Sequence, residues 1–296
     1  MASEKTTRYG QRAELGKKSR LRVVKTVPFG VYLDAGKLGE VLLPTRYLPK
    51  GCKVNDEVEV FVYLDSEDIP IATTLKPRAM VGECAHLKVV AVNRIGAFLD
   101  WGLPKDLLVP FAEQRVPMEV GRSYTVYLYV DSASQRIAAS SKLSKYLSEE
   151  ADGFSPGQAV DLLICGRTDL GLKAVIDGSH LGMIFKGDIL EGVKIGKRVK
   201  GYIKAIREDG KIDLSLQALG QAGRDELSER ILAHLKTQGG SSSLTDKSAP
   251  EAIYKQYRVS KANYKKALGR LFKARRISID KQQVSLVAEA DNEDPV

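Results

Sequence analysis

Two aromatic segments carry the side chains whose chemistry is simplest to interpret. Residues 29–34 (FGVYLD) recur as residues 95–100 (IGAFLD), and residues 170–177 (LGLKAVID) are a weaker echo. An aromatic ring exposed on a strand can stack on a nucleobase, which contributes about 1–3 kcal/mol per base with little sequence preference. We therefore predict stacking on bases by Phe29, Tyr32 and Phe98, with packing into a core as the alternative for each ring.

Basic side chains accompany these segments and are candidates for neutralising the phosphates of the same ligand. In the weakest echo, Leu172 and Lys173 stand where the first copy has Val31 and Tyr32. That copy is therefore expected to bind by charge or to serve only as a scaffold. The candidate phosphate-binding residues of this part of the chain are Arg22, Lys25, Arg46, Arg94, Arg167, Lys173 and Lys186.

A second cationic surface is predicted near the C-terminal end. Residues 258–281 contain nine basic residues and a single acidic one, Asp280. On a helical wheel of about 100° per residue, the opposite faces are apolar and cationic. The apolar face carries Tyr264, Ala267, Leu268, Leu271 and Phe272, and the other carries Asn263, Lys266, Arg270 and Lys273. Solvated faces normally mix charge signs, so this face favours nucleic-acid contact, extended by Arg276 and Lys281.

The spacing patterns of catalysis and metal binding are missing from the sequence. The glycines between residues 10 and 19 do not have the spacing of a phosphate-binding loop, and the carboxylates are scattered. No CxxC pair or HExxH motif occurs among Cys52, Cys84, Cys165, His86, His180 and His234. We therefore expect a protein that is not an enzyme and has no catalytic residue, metal or cofactor.

The bulk properties are those of a globular protein with an anionic partner. The chain has 296 residues, of which 43% are hydrophobic, and a formal net charge of +9. This positive charge attracts RNA or DNA, and a basic protein with no special partner is the alternative. No apolar run approaches the roughly 18 residues of a membrane span, and no secretory signal is recognised. We expect a cytoplasmic protein that does not enter a membrane.

The glycine-led segments belong to three repeats of about five strands each, recognisable from period-2 alternation and from turns. A five-stranded unit of this length removes its edges by closing into a small barrel, and the OB-fold is the common solution. A short linker helix is expected over residues 143–150. The predicted strands are 21–25, 29–34, 39–44, 57–64 and 69–75, then 86–92, 95–100, 107–110, 123–130 and 136–140, then 160–165, 170–177, 181–185, 199–206 and 212–216.

The period changes to that of helices after Gln217. One helix is predicted over about residues 225–236 and ends at Gly239 and Gly240. A capping box of Ser248 and Glu251 begins a second helix, and Ser260 caps a third that runs to about residue 275. A hairpin of residues 276–279 and 284–287 follows. Three helices and a hairpin resemble a winged helix.

The repeats resemble S1 domains, the RNA-binding OB-fold modules of ribosomal protein S1. Residues 29–33 are similar to that module's FGAFV strand, and residues 39–44 (GEVLLP) are similar to its segment ending in histidine. The resemblance implies that aromatics on the second and third strands stack on bases. Where the family segment has histidine, this chain has Pro44, Val109 and Phe185, so one base-facing partner is expected to be lost.

The order of modules resembles the conserved virulence factor B (CvfB-like) family of bacterial RNA-binding regulators. The fold class is accordingly mostly β, with three tandem five-stranded OB barrels and a C-terminal winged helix. The expected domains are residues 1–79 with a basic lead, 80–149, a divergent 150–219, and 220–296 with an acidic tail. The resemblance implies RNA binding, with contributions from the third barrel and the winged helix, and an effect on gene expression.

The leading hypothesis is a non-catalytic, post-transcriptional regulator that binds single-stranded RNA through several weak sites on one chain. A DNA-binding transcription regulator acting through the winged helix is the main alternative, and it would be a dimer on a palindromic site. A metal-dependent ribonuclease and a ribosome- or protein-binding scaffold are further alternatives.

Overall fold

Each of the three β-rich repeats folds into a closed five-stranded barrel, as the alternating pattern predicts. The structure is a computed structural model that describes residues 13–190, 192–217 and 221–287, without the side chains of residues 221–226. The predicted acidic tail and most of the basic N-terminal lead lie outside the described residues. The chain divides into two compact units, residues 1–146 and 147–296.

The strands lie close to their predicted positions, and most begin or end within a few residues of them. In the first barrel they are β1 Lys18–Val27, β2 Gly30–Asp34, β3 Glu40–Pro44, β4 Glu57–Leu64 and β5 Pro70–Thr73. In the second they are β6 Cys84–Val92, β7 Gly96–Asp100, β8 Leu107–Pro110, β9 Ser123–Val130 and β10 Ile137–Ser140. In the third they are β11 Ala159–Arg167, β12 Gly171–Ile176, β13 His180–Phe185, β14 Arg198–Ile206 and β15 Ile212–Ser215.

All three barrels share one topology and one register. Around each barrel the order is first, second, third, fifth and fourth strand, and the first strand pairs with the fourth to close the sheet. The first strand is irregular at the same point in every copy. Beyond that point Lys25 pairs with Tyr32, Ala91 with Phe98, and Gly166 with Lys173. Lys173 is therefore the positional equivalent of Tyr32 and Phe98.

The glycine that begins each second strand is required by close approach of the third strand. A Cβ atom added to Gly30, Gly96 or Gly171 would lie less than 3.0 Å from a backbone carbonyl oxygen of the neighbouring strand. Those oxygens belong to Leu43, Val109 and Ile184. The recurring glycine therefore permits tight pairing of the second and third strands, and it has an architectural role.

The aspartate at the end of the motif is also architectural in the first two barrels. The carboxylate of Asp34 accepts a hydrogen bond from the backbone N–H of Gly36 at 3.1 Å. Asp100 accepts one from the N–H of Gly102 at 2.9 Å. Both contacts close the turn that follows the strand, since a short carboxylate side chain readily bonds to the backbone two residues on.

The first two barrels share a hydrophobic cluster within the first unit. Phe61 and Tyr63 occupy alternate positions of β4 that face away from the first barrel's own core. They are buried together with residues of the second barrel. The rings of Phe61 and Trp101 meet edge to face, with centroids 5.6 Å apart. Burial raises the pKa of the Tyr63 hydroxyl, since ionisation is unfavourable away from water. The first and second barrels therefore pack against each other through a shared hydrophobic core.

The linker helix predicted over residues 143–150 is wrong. Only Leu143–Lys145 forms a single 3-10 turn. The ring of Tyr146 instead stacks on Tyr127, at 4.7 Å between centroids, and on Tyr129, at 5.1 Å. Anchoring of this ring on β9 fixes the chain against the barrel, and burial of aromatic surface outweighs a weak local helical tendency.

The C-terminal module has three helices and a three-stranded sheet. Helix α1 is Gln221–Thr237, α2 is Pro250–Tyr257 and α3 is Lys261–Lys273. The hairpin strands are β17 Ile277–Ile279 and β18 Val284–Leu286, and an unpredicted strand, β16 Ser241–Ser242, pairs with β18. The described part of the chain has no helix long and apolar enough to cross a membrane. The winged-helix prediction is confirmed.

The helix ends match the sequence predictions except at one cap. Gly240 donates its N–H to the Leu235 carbonyl at 2.8 Å, and it ends α1 as predicted. Ser260 accepts from the N–H of Asn263 at 3.3 Å, and it caps α3. The capping box at Ser248 is wrong, because the cap position of α2 is the next residue and no side chain bonds there. Ser248 instead accepts from the Thr245 N–H at 2.8 Å.

The core of this module is built on α3, with one departure from the predicted wheel. Tyr264, Ala267, Leu268 and Leu271 are buried as expected, but Phe272 is 54% exposed. It lies at the edge of the apolar arc, where the neighbouring elements do not reach it. The stacked rings of Tyr257 and Tyr264 are 5.1 Å apart. Burial raises the pKa of Tyr257 to about 12.

Candidate nucleic-acid interface

The first barrel presents an open aromatic surface at the start of β2. Phe29 lies in the turn just before the strand and is 57% exposed, so the core alternative does not apply to it. Tyr32 is half-buried on β2, and the Lys25 ammonium lies over its ring, 4.4 Å from the centroid. Lys25 also bonds Glu40 at 2.7 Å, and this bond raises the pKa of Lys25. A base stacking on Tyr32 would have to displace or share this cation.

The second barrel places Phe98 in a cleft. The cleft has a volume of about 520 Å³ and lies between β7, β8 and the end of the first barrel's β4. Its walls are mostly apolar, and the first barrel contributes Tyr63 and Leu64 to them. Phe98 is half-buried, so its ring is neither fully exposed nor part of a core. The sequence did not reveal the cleft, because its wall comes from another repeat.

Two of the cations that line this cleft, Lys105 and Arg136, contact the turn between β4 and β5 of the first barrel. Lys105 donates to the Leu64 carbonyl at 3.3 Å and lies 4.0 Å from Asp68. Arg136 also bonds Asp68. Because two cations share one carboxylate of the β4–β5 turn, this turn of the first barrel is held against the second barrel.

The third barrel replaces the aromatic position with a cation, as the sequence predicts. Lys173 is half-buried and lies 3.2 Å from Glu149. Opposite the glycines, the register places Pro44, Pro110 and Phe185 at the ends of the third strands. The equivalent in the second barrel is therefore Pro110, and the assignment of Val109 is wrong by one residue.

The remaining barrel cations fall into paired and unpaired groups. Arg22 lies 3.5 Å from Asp34, and Arg46 lies over the Tyr47 ring, 4.7 Å from its centroid. Among the described residues, no ion pair involves three further exposed candidates. These are Arg94, Arg167 and Lys186. Exposed pairs contribute little to stability, so the paired cations remain accessible to a phosphate at small cost.

The cationic face of α3 is mostly open. Lys266 and Lys273 are exposed and have no ion pair within the part of the chain that the structure describes. Arg270 is half-buried. Arg276 and Lys281 are exposed beyond the helix, on the hairpin side. The absence of carboxylates from residues 261–279 makes this the most uniformly positive segment among the candidates.

Asn263 does not lie on that open face. Its side-chain amide donates to the amide oxygen of Gln217, which follows the third barrel. Gln217 in turn donates to the Arg258 carbonyl at 3.2 Å. Asn263 is half-buried, and it joins the beginning of α3 to the third barrel.

The third barrel also approaches the first turn of α3 directly. A Cβ atom added to Gly187 would lie 3.8 Å from the Cβ of Ala262. Gly187 belongs to a 3-10 helix, Lys186–Asp188, at the end of β13. Lys186 is therefore brought beside the N-terminal turn of α3, and the barrel and helix cations lie on adjoining parts of one unit.

Family models match most of these modules. Residues 15–75 and 81–141 each match the S1 domain, and residues 229–286 match the CvfB-like winged helix domain. The third barrel lies outside these matches, in accord with its divergent sequence. Both families are nucleic-acid-binding modules rather than known enzymes, and this supports nucleic-acid binding by the chain.

Several relatives align with this chain over most of its length. An uncharacterized protein YitL of Bacillus subtilis is 28% identical, and the alignment covers 92% of this chain and 93% of that one. The conserved virulence factor B of Staphylococcus saprophyticus is 24% identical, with 79% and 81% covered. A solved Streptococcus pneumoniae multidomain protein with nucleic acid binding domains is 23% identical, has a TM-score of 0.40, and aligns over 92% of this chain and 98% of that one.

Proposed function

We propose that this chain, which combines S1 domains with a CvfB-like winged helix domain, binds single-stranded RNA. The observation that carries the proposal is the exposed cationic face of α3 at Lys266 and Lys273. Neutralising phosphates releases counterions, which is the main driving force for binding a nucleic acid without sequence preference.

Stacking on the barrels supplies the second part of the proposed mechanism. Phe29 is freely accessible, Tyr32 offers a ring beside a cation, and Phe98 offers a ring inside a cleft. A single strand can present its unpaired bases to such rings, whereas a duplex cannot. The barrel cations would hold the backbone between stacked bases.

The placement of Asn263 favours a single strand over duplex DNA. A recognition helix reads the major groove with its N-terminal residues. In this chain the first turn of α3 is held against the third barrel by Asn263 and Ala262. Insertion of that turn into a groove would require the barrel to move away. A strand running over the adjoining surfaces of Lys186 and α3 requires no such movement.

We retain the four modules 1–79, 80–149, 150–219 and 220–296 as the proposed functional divisions. Individually weak sites on linked modules raise the overall affinity through effective concentration. A non-catalytic, cytoplasmic regulator acting after transcription is the role proposed for the chain.

An equilibrium titration tests this function. The full chain is titrated with a labelled single-stranded RNA, the matching single-stranded DNA and the matching duplex DNA at one salt concentration. Tighter binding to the single strands supports the proposal, and tighter binding to the duplex rejects it. Crosslinking to RNA in cells, followed by sequencing, would then identify the natural ligand.

A DNA-binding regulator remains the second candidate, because the module has the three helices and the cationic α3 of a winged helix. That function predicts a dimer and preference for a palindromic duplex. Measurement of the mass of the complex in solution gives the number of chains bound to each duplex. A single chain per duplex, bound without sequence preference, contradicts the function of a DNA-binding regulator.

A further inference from the structure

Phe272 is an exposed aromatic residue on the most positive helix of the chain. It is 54% exposed on α3, although the sequence pattern assigned it to the buried face. A single exposed apolar residue is ordinary on a protein surface. Phe272 differs from such a residue in its surroundings, because Lys273 follows it directly and Arg275 and Arg276 follow after Ala274.

The helix leaves space beside this ring. Gly269 lies three residues earlier, and therefore on the neighbouring part of the same face. Apart from the adjoining residues and the helix's own backbone, no described atom lies within 4 Å of the position that a Cβ atom on Gly269 would occupy. Glycine inside a helix destabilises it by about 1 kcal/mol relative to alanine, and here no close packing requires it. Long helical side chains point back over the preceding turn, which is the turn of Gly269.

The charge around the ring suits a polyanion. No acidic residue occurs among residues 261–279, which include seven basic ones. Lys265, two turns before Phe272, approaches Asp246 at 3.8 Å, while Lys273 forms no ion pair with any described residue. An exposed aromatic ring on a helix rich in basic residues, with space beside it, is the combination that single-strand binders use to hold one base and its flanking phosphates.

We propose that Phe272 and the open position at Gly269 form a stacking platform for one unpaired nucleobase. The inference rests on the proposed function and adds a base-stacking site on α3 to the phosphate contacts there. It also explains how α3 can distinguish a single strand from a duplex, because a base stacked on Phe272 must be unpaired. A duplex would contact only the cations.

The test compares substitutions of Phe272 in the full chain. F272A is expected to weaken binding of single-stranded RNA on the order of 5- to 150-fold, the range of one lost stacking contact. The slope of log affinity against log salt is expected to stay unchanged, since no phosphate contact is removed. F272L keeps an apolar side chain without a π-face, so it should bind as weakly as F272A, whereas F272Y should bind like the unmodified protein.

Gly269 provides a second and independent variant. G269L fills the open position with a good helix former, so it should raise or maintain the melting temperature while weakening RNA binding. V120A, which shortens a 61% exposed apolar residue in the first unit, serves as the control and should leave binding unchanged.

The outcomes separate this inference from the proposed function. Binding of RNA by the unmodified chain, with F272A equally tight, would overturn the platform and leave the function intact. Full affinity of F272L would show apolar contact rather than stacking and would also overturn the platform. No binding of single-stranded RNA by the unmodified chain would overturn both.

Discussion

The carbonyl oxygen of Ile184 in β13 overlaps the position that a Cβ atom on Gly171 in β12 would occupy, so no side chain fits there. The same relationship joins Leu43 to Gly30 and Val109 to Gly96. The glycine signature of the repeats is thus explained by strand pairing, and nucleic-acid binding has to be assigned to other residues.

Substitution of Gly171 tests this explanation against a nearby control. G171A should destabilise the third barrel by about 1–3 kcal/mol or more, because the new methyl group overlaps a backbone oxygen. G166A lies in the same barrel, where nothing approaches within 4 Å of the Cβ position, and it should cost little or stabilise by up to about 1 kcal/mol. Denaturant unfolding measures both, and equal effects of the two substitutions would contradict the explanation.

Repetition makes the barrels predictable from the sequence. Three copies of one strand order are readable because the alternation of apolar side chains has a period of two in all of them. The cleft at Phe98 was not predictable, since Tyr63 and Leu64 come from a different repeat. Local patterns report which face of a strand is buried, and they do not report which other module covers it.

The cap of α3 supports a second prediction. S260A should lower stability by about 1 kcal/mol, because the N–H of Asn263 loses its acceptor, whereas S260G should cost only a few tenths of that. Thermal unfolding of the full chain would record the difference. A cost of S260G equal to that of S260A would show that Ser260 acts by packing rather than as a cap.

Acidification should weaken the first unit through His86. Burial lowers the pKa of this imidazole, and Thr125 lies 3.0 Å from its Nδ1 atom. The unfolded chain therefore takes up the proton more readily than the folded one, so stability is fully present above the unfolded pKa of about 6.5 and falls as the pH drops towards the folded pKa. H86Q should flatten this part of the stability profile. A profile that is unaffected by H86Q would exclude the contribution.

Trp101 offers an optical test of the cleft. It is the single tryptophan of the chain, and it lines the cleft beside Phe98. Binding of single-stranded RNA there should change its emission, and F98L should remove the change along with part of the affinity. Y32L, the equivalent change in the first barrel, should leave the emission response in place. An unchanged Trp101 signal at saturating RNA would show that the cleft stays empty.

The candidate site was only partly predictable. The cationic face of α3 follows from helical periodicity, and Lys266 and Lys273 are exposed as expected. Asn263 satisfies the same periodicity but contacts Gln217, because the third barrel covers the beginning of the helix. Phe272 lies on the apolar side of the helix and is nevertheless exposed, because no neighbouring element extends to the edge of that side. A helical wheel gives the direction of each side chain around the helix. It does not show how much of that face the neighbouring elements cover.

The salt dependence of RNA binding by the K266A/K273A variant tests the central claim most directly. The matched control is K236A/K255A, which removes two exposed lysines from α1 and α2 of the same module. Each lost phosphate contact should reduce the slope of log affinity against log salt by about 0.7 for a single strand. We predict a slope shallower by about 1.4, with weaker binding, for K266A/K273A and a slope near the original for the control. Unchanged affinity and slope in K266A/K273A would contradict the assignment of α3 as the RNA-binding surface.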